Sequence, residues 1–258
     1  MTFSPIDLFR LNGRVAIVTG GSKGLGKAMS AALAGAGANV VLVSRHGAEA
    51  QAVAAAIQDG TQRECLGVEA DVSGAGGVDR VVAQTMERFG HIDILVNNAG
   101  INRRAPIETL SEADMREVWE INLLGPWLLC RAVAPMMKAR RWGRVINIGS
   151  LMSTVAIAER SPYATSKAAI AGLTRTLALE WATSGITVNT ISPGPFFTEM
   201  NEPLANDPER YNWFTSRVPM GRWGQPDELA GAVVFLASEA SSFVTGSMLM
   251  VDGGWTTL

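Results

Sequence analysis

The chain has 258 residues, 47% of them hydrophobic and 18% charged, with 27 glycines, which suits one large α/β core better than two small ones. A formal charge of −2 and a pI near 5.8 supply no basic field for nucleic acid, and pairs such as Arg103-Arg104 and Arg140-Arg141 are too short to create one. Two cysteines in apolar stretches, Cys65 and Cys130, and two isolated histidines, His46 and His91, predict neither a disulfide framework nor a metal site. Met1 to Gly13 mixes an acid and a base with its apolar residues and does not read as a leader, and no apolar run reaches the roughly 18 residues that span a bilayer. A cytoplasmic protein is expected.

The first β-branched run, Arg14 to Thr19, leads into Thr19-Gly20-Gly21-Ser22-Lys23-Gly24-Leu25-Gly26 and a helical pattern over Leu25 to Ala36. Glycines at such a junction let the backbone turn sharply and let a pyrophosphate approach the helix N-terminus. Two standard phosphate motifs fit poorly. Gly21 to Lys27 matches the start of a P-loop, but Ala28 stands where a hydroxyl would hold magnesium, and Met29 replaces the third glycine of GxGxxG. By itself the turn reads equally as structural.

Further runs at Asn39–Ser44, Leu66–Val72, Ile92–Asn97, Arg144–Ile148, Ile186–Ile191 and Ser247–Val251 are nearly continuous in apolar residues, as strands covered on both faces are. Helical patterns lie between them, at Ala48–Asp59, Val78–Phe89, Glu112–Arg140, Pro162–Thr183 and Pro226–Ser238. The alternation predicts one α/β domain over 1–258, a doubly wound Rossmann fold with a seven-stranded parallel sheet and helices on both faces. Residues 193–224, rich in Pro, Asn and aromatics, form the one long irregular stretch, as a lid or binding loop does.

Ser161-Pro162-Tyr163-Ala164-Thr165-Ser166-Lys167 reads as a helix start, with Ser161 as N-cap and Pro162 at the first helical position. Tyr163 and Lys167 share a face. A phenol of pKa about 10 becomes a usable base only if a cation lowers that value by about 2 to 3 units, which needs about 3 to 4 kcal/mol. Alone, such a pair reads as an amphipathic surface contact. Ser150 follows the fifth strand, so it and Tyr163 can meet at the carboxyl edge of the sheet. Pro126 lies four residues after Asn122 and has no N–H, which leaves the Asn122 carbonyl without its helical partner; that carbonyl can hold a relay water, or the kink can serve packing alone.

Thr19 to Gly26, Asn97 to Gly100, Ser150, Tyr163 with Lys167, Pro193-Gly194 and Val251 to Gly254 stand in the order and spacing of the short-chain dehydrogenases/reductases, which the chain resembles over nearly its whole length. The resemblance implies a nicotinamide-dependent oxidoreductase acting on an alcohol or ketone. It implies that Ser150 orients the substrate oxygen, that Tyr163 exchanges the proton, that Lys167 lowers the tyrosine pKa and holds the ribose, and that Asn122 completes a tetrad. The dinucleotide would lie against Gly20, Ser22, Lys23, Gly24, Leu25 and Gly26, Asp71 and Val72, Asn98, Ala99 and Gly100, and Pro193, Gly194 and Thr198, with Asp71 accepting from the adenine amine. A homotetramer burying the last strand and the helix from Pro226 is implied too.

Ser44, Arg45 and His46 stand where an NAD enzyme carries an acid, and Lys23 faces the same pocket, so NADP is expected; the alternative is that Arg45 stacks on the adenine of NAD. Gly100-Ile101-Asn102-Arg103-Arg104 resembles the corresponding run of gluconate-type sugar-acid dehydrogenases, with Arg104 as the carboxylate ligand and Arg103 on the rim. Asn201, Asn206 and Trp213 of the lid are further substrate candidates. A 3-oxoacyl carrier-protein reductase is the alternative and would use Arg103, Arg104 and Arg217 at a basic entrance. An inactive cofactor-binding scaffold is disfavoured by the intact Asn122, Ser150, Tyr163 and Lys167.

Overall fold

The computed structural model describes residues 4–257. Residues 1–3 and 258, part of the stretch read for a leader and of the 1–258 domain assignment, lie outside the described residues. In chain order the elements are β1 (Val15–Thr19), α1 (Gly24–Gly35), β2 (Asn39–Ser44), α2 (Gly47–Thr61), β3 (Cys65–Glu69), α3 (Ala75–Phe89), β4 (Ile94–Asn97), α4 (Glu112–Trp119), α5 (Gly125–Arg140), β5 (Gly143–Ile148), α6 (Ser161–Trp181), β6 (Ile186–Pro193), α7 (Glu202–Ala205), α8 (Pro208–Thr215), α9 (Ala230–Ala237) and β7 (Met248–Val251). The seven strands pair in parallel in the order β3-β2-β1-β4-β5-β6-β7. Successive strands are added on one side of β1 as far as β3 and on its other side from β4 onward, and at such a switch point the connections diverge and open a crevice beyond the strand ends.

The apolar runs are strands because both their faces are covered. Met29 and Leu33 of α1, Ile57 of α2 and Val233 of α9 pack on one face; Val81 of α3, Leu129 and Val133 of α5 and Leu177 of α6 pack on the other. Every residue of β1, β4, β5 and β6 is buried. Beneath the crevice runs a buried polar ladder. The Asn97 amide donates to Asn147 Oδ1 at 2.8 Å, the Asn147 amide donates to Thr174 Oγ1 at 2.9 Å, and the Thr174 and Thr190 hydroxyls meet at 2.8 Å. It ties β4, β5, α6 and β6 together.

Several segments differ from the sequence reading. Glu112–Arg140 is not one helix: α4 ends at Trp119, and Glu120–Leu124 form a π turn in which the Gly125 N–H reaches the Glu120 carbonyl five residues back. Pro126 lacks the donor that a regular turn needs here, so the wider turn takes its place. α6 begins one residue early, with Arg160 rather than Ser161 at the N-cap position and no side-chain cap. The segment from Pro226 starts as a 3-10 turn and is α-helical only from Ala230. β3 ends at Glu69, so Asp71 and Val72 lie in the loop beyond it. The stretch 193–224 is not irregular. It contains α7 and α8, with Asp207 capping the backbone N–H groups of Glu209 and Arg210, and its aromatics pack around buried Trp223: Phe197 and Tyr211 tilted against it, each at 5.4 Å, and Phe214 edge-on at 5.7 Å.

Candidate active site

A cavity of about 420 Å³ opens at the carboxyl ends of the strands. Every residue expected to hold a dinucleotide borders it, from Gly20 through Thr198, together with Ser150, Arg104 and Asn201. At the junction of β1 and α1, Gly20 has φ +60, and a Cβ on Gly26 would stand 2.0 Å from the Gly20 carbonyl oxygen, so the turn closes only without side chains. The Asn98 amide donates to the carbonyls of Thr19 and Gly20 at 2.9 and 3.2 Å, while the Thr19 hydroxyl accepts from the N–H groups of Asn98 and Ala99, both at 3.0 Å. The two loops flanking the switch point are thus one hydrogen-bonded unit.

At the outer end Ser44, Arg45 and His46 stand beside Lys23 without the acid that two ribose hydroxyls would meet at the end of β2. An acid nevertheless enters from α2. Glu49 accepts from Lys23 Nζ at 2.8 Å and from the Ser22 hydroxyl, which lowers its own pKa and raises that of Lys23. The sequence reading missed Glu49, whose signal was an acid in the first turn of the helix after the second strand. Asp71 accepts from the Ser73 N–H at 3.0 Å, and that contact, with the nearby Arg45 charge, lowers its pKa.

At the inner end Ser150 starts a short turn and its hydroxyl accepts from the Met152 N–H at 3.1 Å. Lys167 is 4% exposed, donates from Nζ to the Ile148 carbonyl at 2.7 Å, and stands 5.6 Å from the Tyr163 ring centroid. Burial depresses its pKa to about 8. The phenol of Tyr163 shifts upward because it too is buried, against opposing contributions from the Ser150 hydroxyl and the Arg104 and Arg160 guanidiniums. The groups that oppose this upward shift are Ser150 and the two arginines, with Lys167 on the same helix face. Asn122 does not border the cavity. Its side chain, behind the wall, accepts from the Ile101 N–H at 2.9 Å and donates to the Ile101 carbonyl at 3.0 Å and to Ser166 Oγ at 3.1 Å. The π turn therefore presents Asn122 as a clamp on the loop that carries Arg104.

Arg104 reaches over the inner end and donates to the Met200 carbonyl at 3.2 Å and to Asn201 Oδ1 at 3.0 Å; its Nε is buried without a partner. Arg103 points away and pairs with Glu117, 3.0 Å from its Nε. Arg217 lies 3.7 Å over the Trp213 ring. Two of the three arginines considered for an acidic carrier protein are thus engaged on the surface. Asn206 and Trp213, read as substrate candidates, lie outside the cavity wall, whereas Arg160 and Trp223, which no motif signalled, are part of it.

A family model described as enoyl-(acyl carrier protein) reductase matches residues 20–256. Gluconate 5-dehydrogenase of Gluconobacter oxydans (strain 621H) is 43% identical over 253 residues, 97% of each chain. The chain belongs to the short-chain dehydrogenase/reductase family. Among other members of this dehydrogenase/reductase family, D-threitol dehydrogenase of Mycolicibacterium smegmatis is 40% identical, covering 96% of this chain and 95% of its own. A crystal structure of a gluconate 5-dehydrogenase from Burkholderia cenocepacia J2315, in complex with NADP and tartrate, superposes with a TM-score of 0.93 at 41% identity, over 99% of this chain and 100% of that one.

Proposed function

We propose that the protein interconverts a secondary alcohol and a ketone on a small polyhydroxylated acid of the gluconate type, with NADP as the preferred cofactor. It acts as one domain, 1–258, with 193–224 as substrate lid, in a cytoplasmic homotetramer. The observation that carries the substrate reading is Arg104: a half-buried guanidinium on the cavity wall, beside Tyr163, with an unpartnered Nε and no acidic partner among the described residues. A carboxylate supplies what that donor lacks, in a geometry that a guanidinium matches in two parallel bonds.

The residues present fit a nicotinamide dinucleotide. The side-chain-free turn at Gly20 and Gly26 and the start of α1 accommodate a pyrophosphate, and Ser44 and Arg45 offer a hydroxyl and a guanidinium to a 2′-phosphate, with the Lys23 ammonium available once it leaves Glu49. When bound, the nicotinamide accepts or returns a hydride. The chain's own residues do the rest. Ser150 donates to the substrate oxygen, Tyr163 takes its proton in oxidation and returns it in reduction, and Lys167, fixed by Ile148, holds the ribose next to the phenol. Asn122 holds Ile101, and through it the Arg104 loop, at the distance the substrate requires. Trp223 and Phe214 close the cavity from the lid side and exclude water from the reacting centre.

Arg104→Ala, assayed with gluconate and with a neutral polyol, tests the reading. Loss of a desolvated carboxylate contact costs about 2 to 4 kcal/mol in kcat/KM on the acid and much less on the polyol. Equal losses on both, or a parent enzyme inactive on every sugar acid, would remove the sugar-acid assignment.

A further inference from the structure

Arg160 occupies a place that is hostile to a cation. It is 8% exposed, and it stands at the N-cap position of the 21-residue α6, where the helix dipole is positive and no side chain caps the backbone. Burial lowers its pKa, and Arg104 and Arg210 add like-charge repulsion. Its guanidinium donates from Nη1 to the Ala158 carbonyl at 2.9 Å and lies 5.7 Å from the Phe214 ring centroid. The one carboxylate that acts on it is the adjacent Glu159, which opposes the downward shift without forming an ion pair; Asp207 is taken by Arg210 and Glu117 by Arg103. Among the described residues, no carboxylate pairs with either Arg160 or Arg104, and both arginines border the cavity next to Tyr163.

Burial, like charge and the helix dipole all act against Arg160, and the adjacent Glu159 offsets them only from a distance, with no carboxylate paired to the guanidinium among the described residues. An anion from outside supplies that pairing. We propose that Arg160 and Arg104 form a two-guanidinium clamp on the carboxylate of the substrate, one arginine from the loop after β4 and the other from the start of α6. This deepens the sugar-acid reading and rests on it. A carboxylate has acceptor sites for two guanidiniums at once, and the unpartnered Arg104 Nε and the free edge of Arg160 are the donors available to it. A neutral polyol leaves the buried Arg160 and the half-buried Arg104 uncompensated, so selectivity comes as much from a penalty on the wrong substrate as from attraction to the right one.

The clamp also reaches the proton transfer. The groups facing the Tyr163 phenol are Ser150 beyond β5, Lys167 on α6, Arg104 and Arg160, and a carboxylate seated on the two arginines offsets the charge with which they favour the phenolate.

The test uses Arg160→Gln and Arg160→Lys in the full-length enzyme. Cofactor affinity by fluorescence titration and the melting temperature serve as controls for folding. With gluconate, Arg160→Gln is expected to lose about 30- to 300-fold in kcat/KM, mostly through KM, against less than about 5-fold with threitol, and Arg160→Lys to recover part of the loss. With threitol, the rise of oxidation rate with pH is expected to move to higher pH in Arg160→Gln, because a cation near the phenol has gone. Inhibition by malonate, an unreactive dicarboxylate, is expected to weaken at least tenfold in both Arg160→Gln and Arg104→Ala. Equal losses on gluconate and threitol with no displacement of the pH curve, or unchanged malonate inhibition, would make Arg160 a structural residue and overturn the clamp. A parent enzyme that oxidises no sugar acid would defeat the underlying reading separately, and malonate inhibition would still decide whether the anion site exists.

Discussion

At the residue scale, the chemistry is governed by what burial does to two groups on one helix face. A phenol pushed upward by burial is largely protonated at neutral pH, so alcohol oxidation is expected to keep rising into the alkaline range along a single ionisation. Tyr163→Phe is expected to lower kcat by about 10²- to 10⁴-fold while cofactor affinity by titration stays near the parent value. Lys167 contributes to stability in the opposite direction from a surface lysine. Its folded pKa, about 8, lies below the ordinary 10.5, so the folded chain holds fewer protons than the unfolded one between those values, and stability rises with pH across that window. Urea unfolding should show the parent gaining up to about 3 kcal/mol on Lys167→Met between the two ends of the window, and a flat difference would contradict the burial argument. Glu49 is the third residue to watch. It holds the Ser22 hydroxyl and Lys23, a donor that a 2′-phosphate would use. Glu49→Gln is expected to tighten NADP relative to NAD in equilibrium binding, and weaker NAD binding alone would mean that Glu49 serves the ribose hydroxyls instead. The sequence named the donors in this pocket by motif. It did not name Glu49, because nothing in a linear spacing says that a helix's first turn folds back onto a glycine loop.

At the element scale, legibility followed periodicity. The strands were readable because β1, β4, β5 and β6 are buried along their whole length, and an apolar run is then the only pattern they can show. Where one periodic segment concealed two elements, the pattern misled: α4 and α5 keep nearly one hydrophobic face across the π turn, and only Pro126 marked the break. The lid was illegible for a different reason. Its order comes from Phe197, Tyr211, Phe214 and Trp223 packing ring against ring across gaps in sequence that follow no helical or strand repeat. The π turn has a measurable task in aiming Asn122 at Ile101. Asn122→Leu leaves the Ile101 N–H and carbonyl unpaired, with an expected cost of about 2 to 3 kcal/mol in unfolding free energy and a larger fall in kcat/KM on a sugar acid than on a neutral polyol, because the Arg104 loop loses its anchor. A variant as stable as the parent would show the clamp to be idle.

At the scale of the whole molecule, β7 closes one side of the sheet with residues that are only half buried, and Phe243, just before it, is fully exposed at 104%. An apolar edge of this kind is a liability in a monomer, and the proposed homotetramer covers it. Sedimentation at micromolar concentration is expected to give four copies of the 27.4 kDa chain and a shift to smaller species for Phe243→Asp; a monomeric parent would refute the assembly. The buried ladder of Asn97, Asn147, Thr174 and Thr190 bears on how such variants will behave. It bonds α6, which carries Tyr163 and Lys167, to three strands through side chains that reach nothing in the cavity. Such bonds weaken steeply away from their preferred length and angle, so three of them in series index α6 against the sheet. Damage to a rung, such as Thr174→Val, should therefore divide the population. Active-site titration would count fewer competent molecules, each turning over at the parent rate, where a loosened hinge would instead slow every molecule a little.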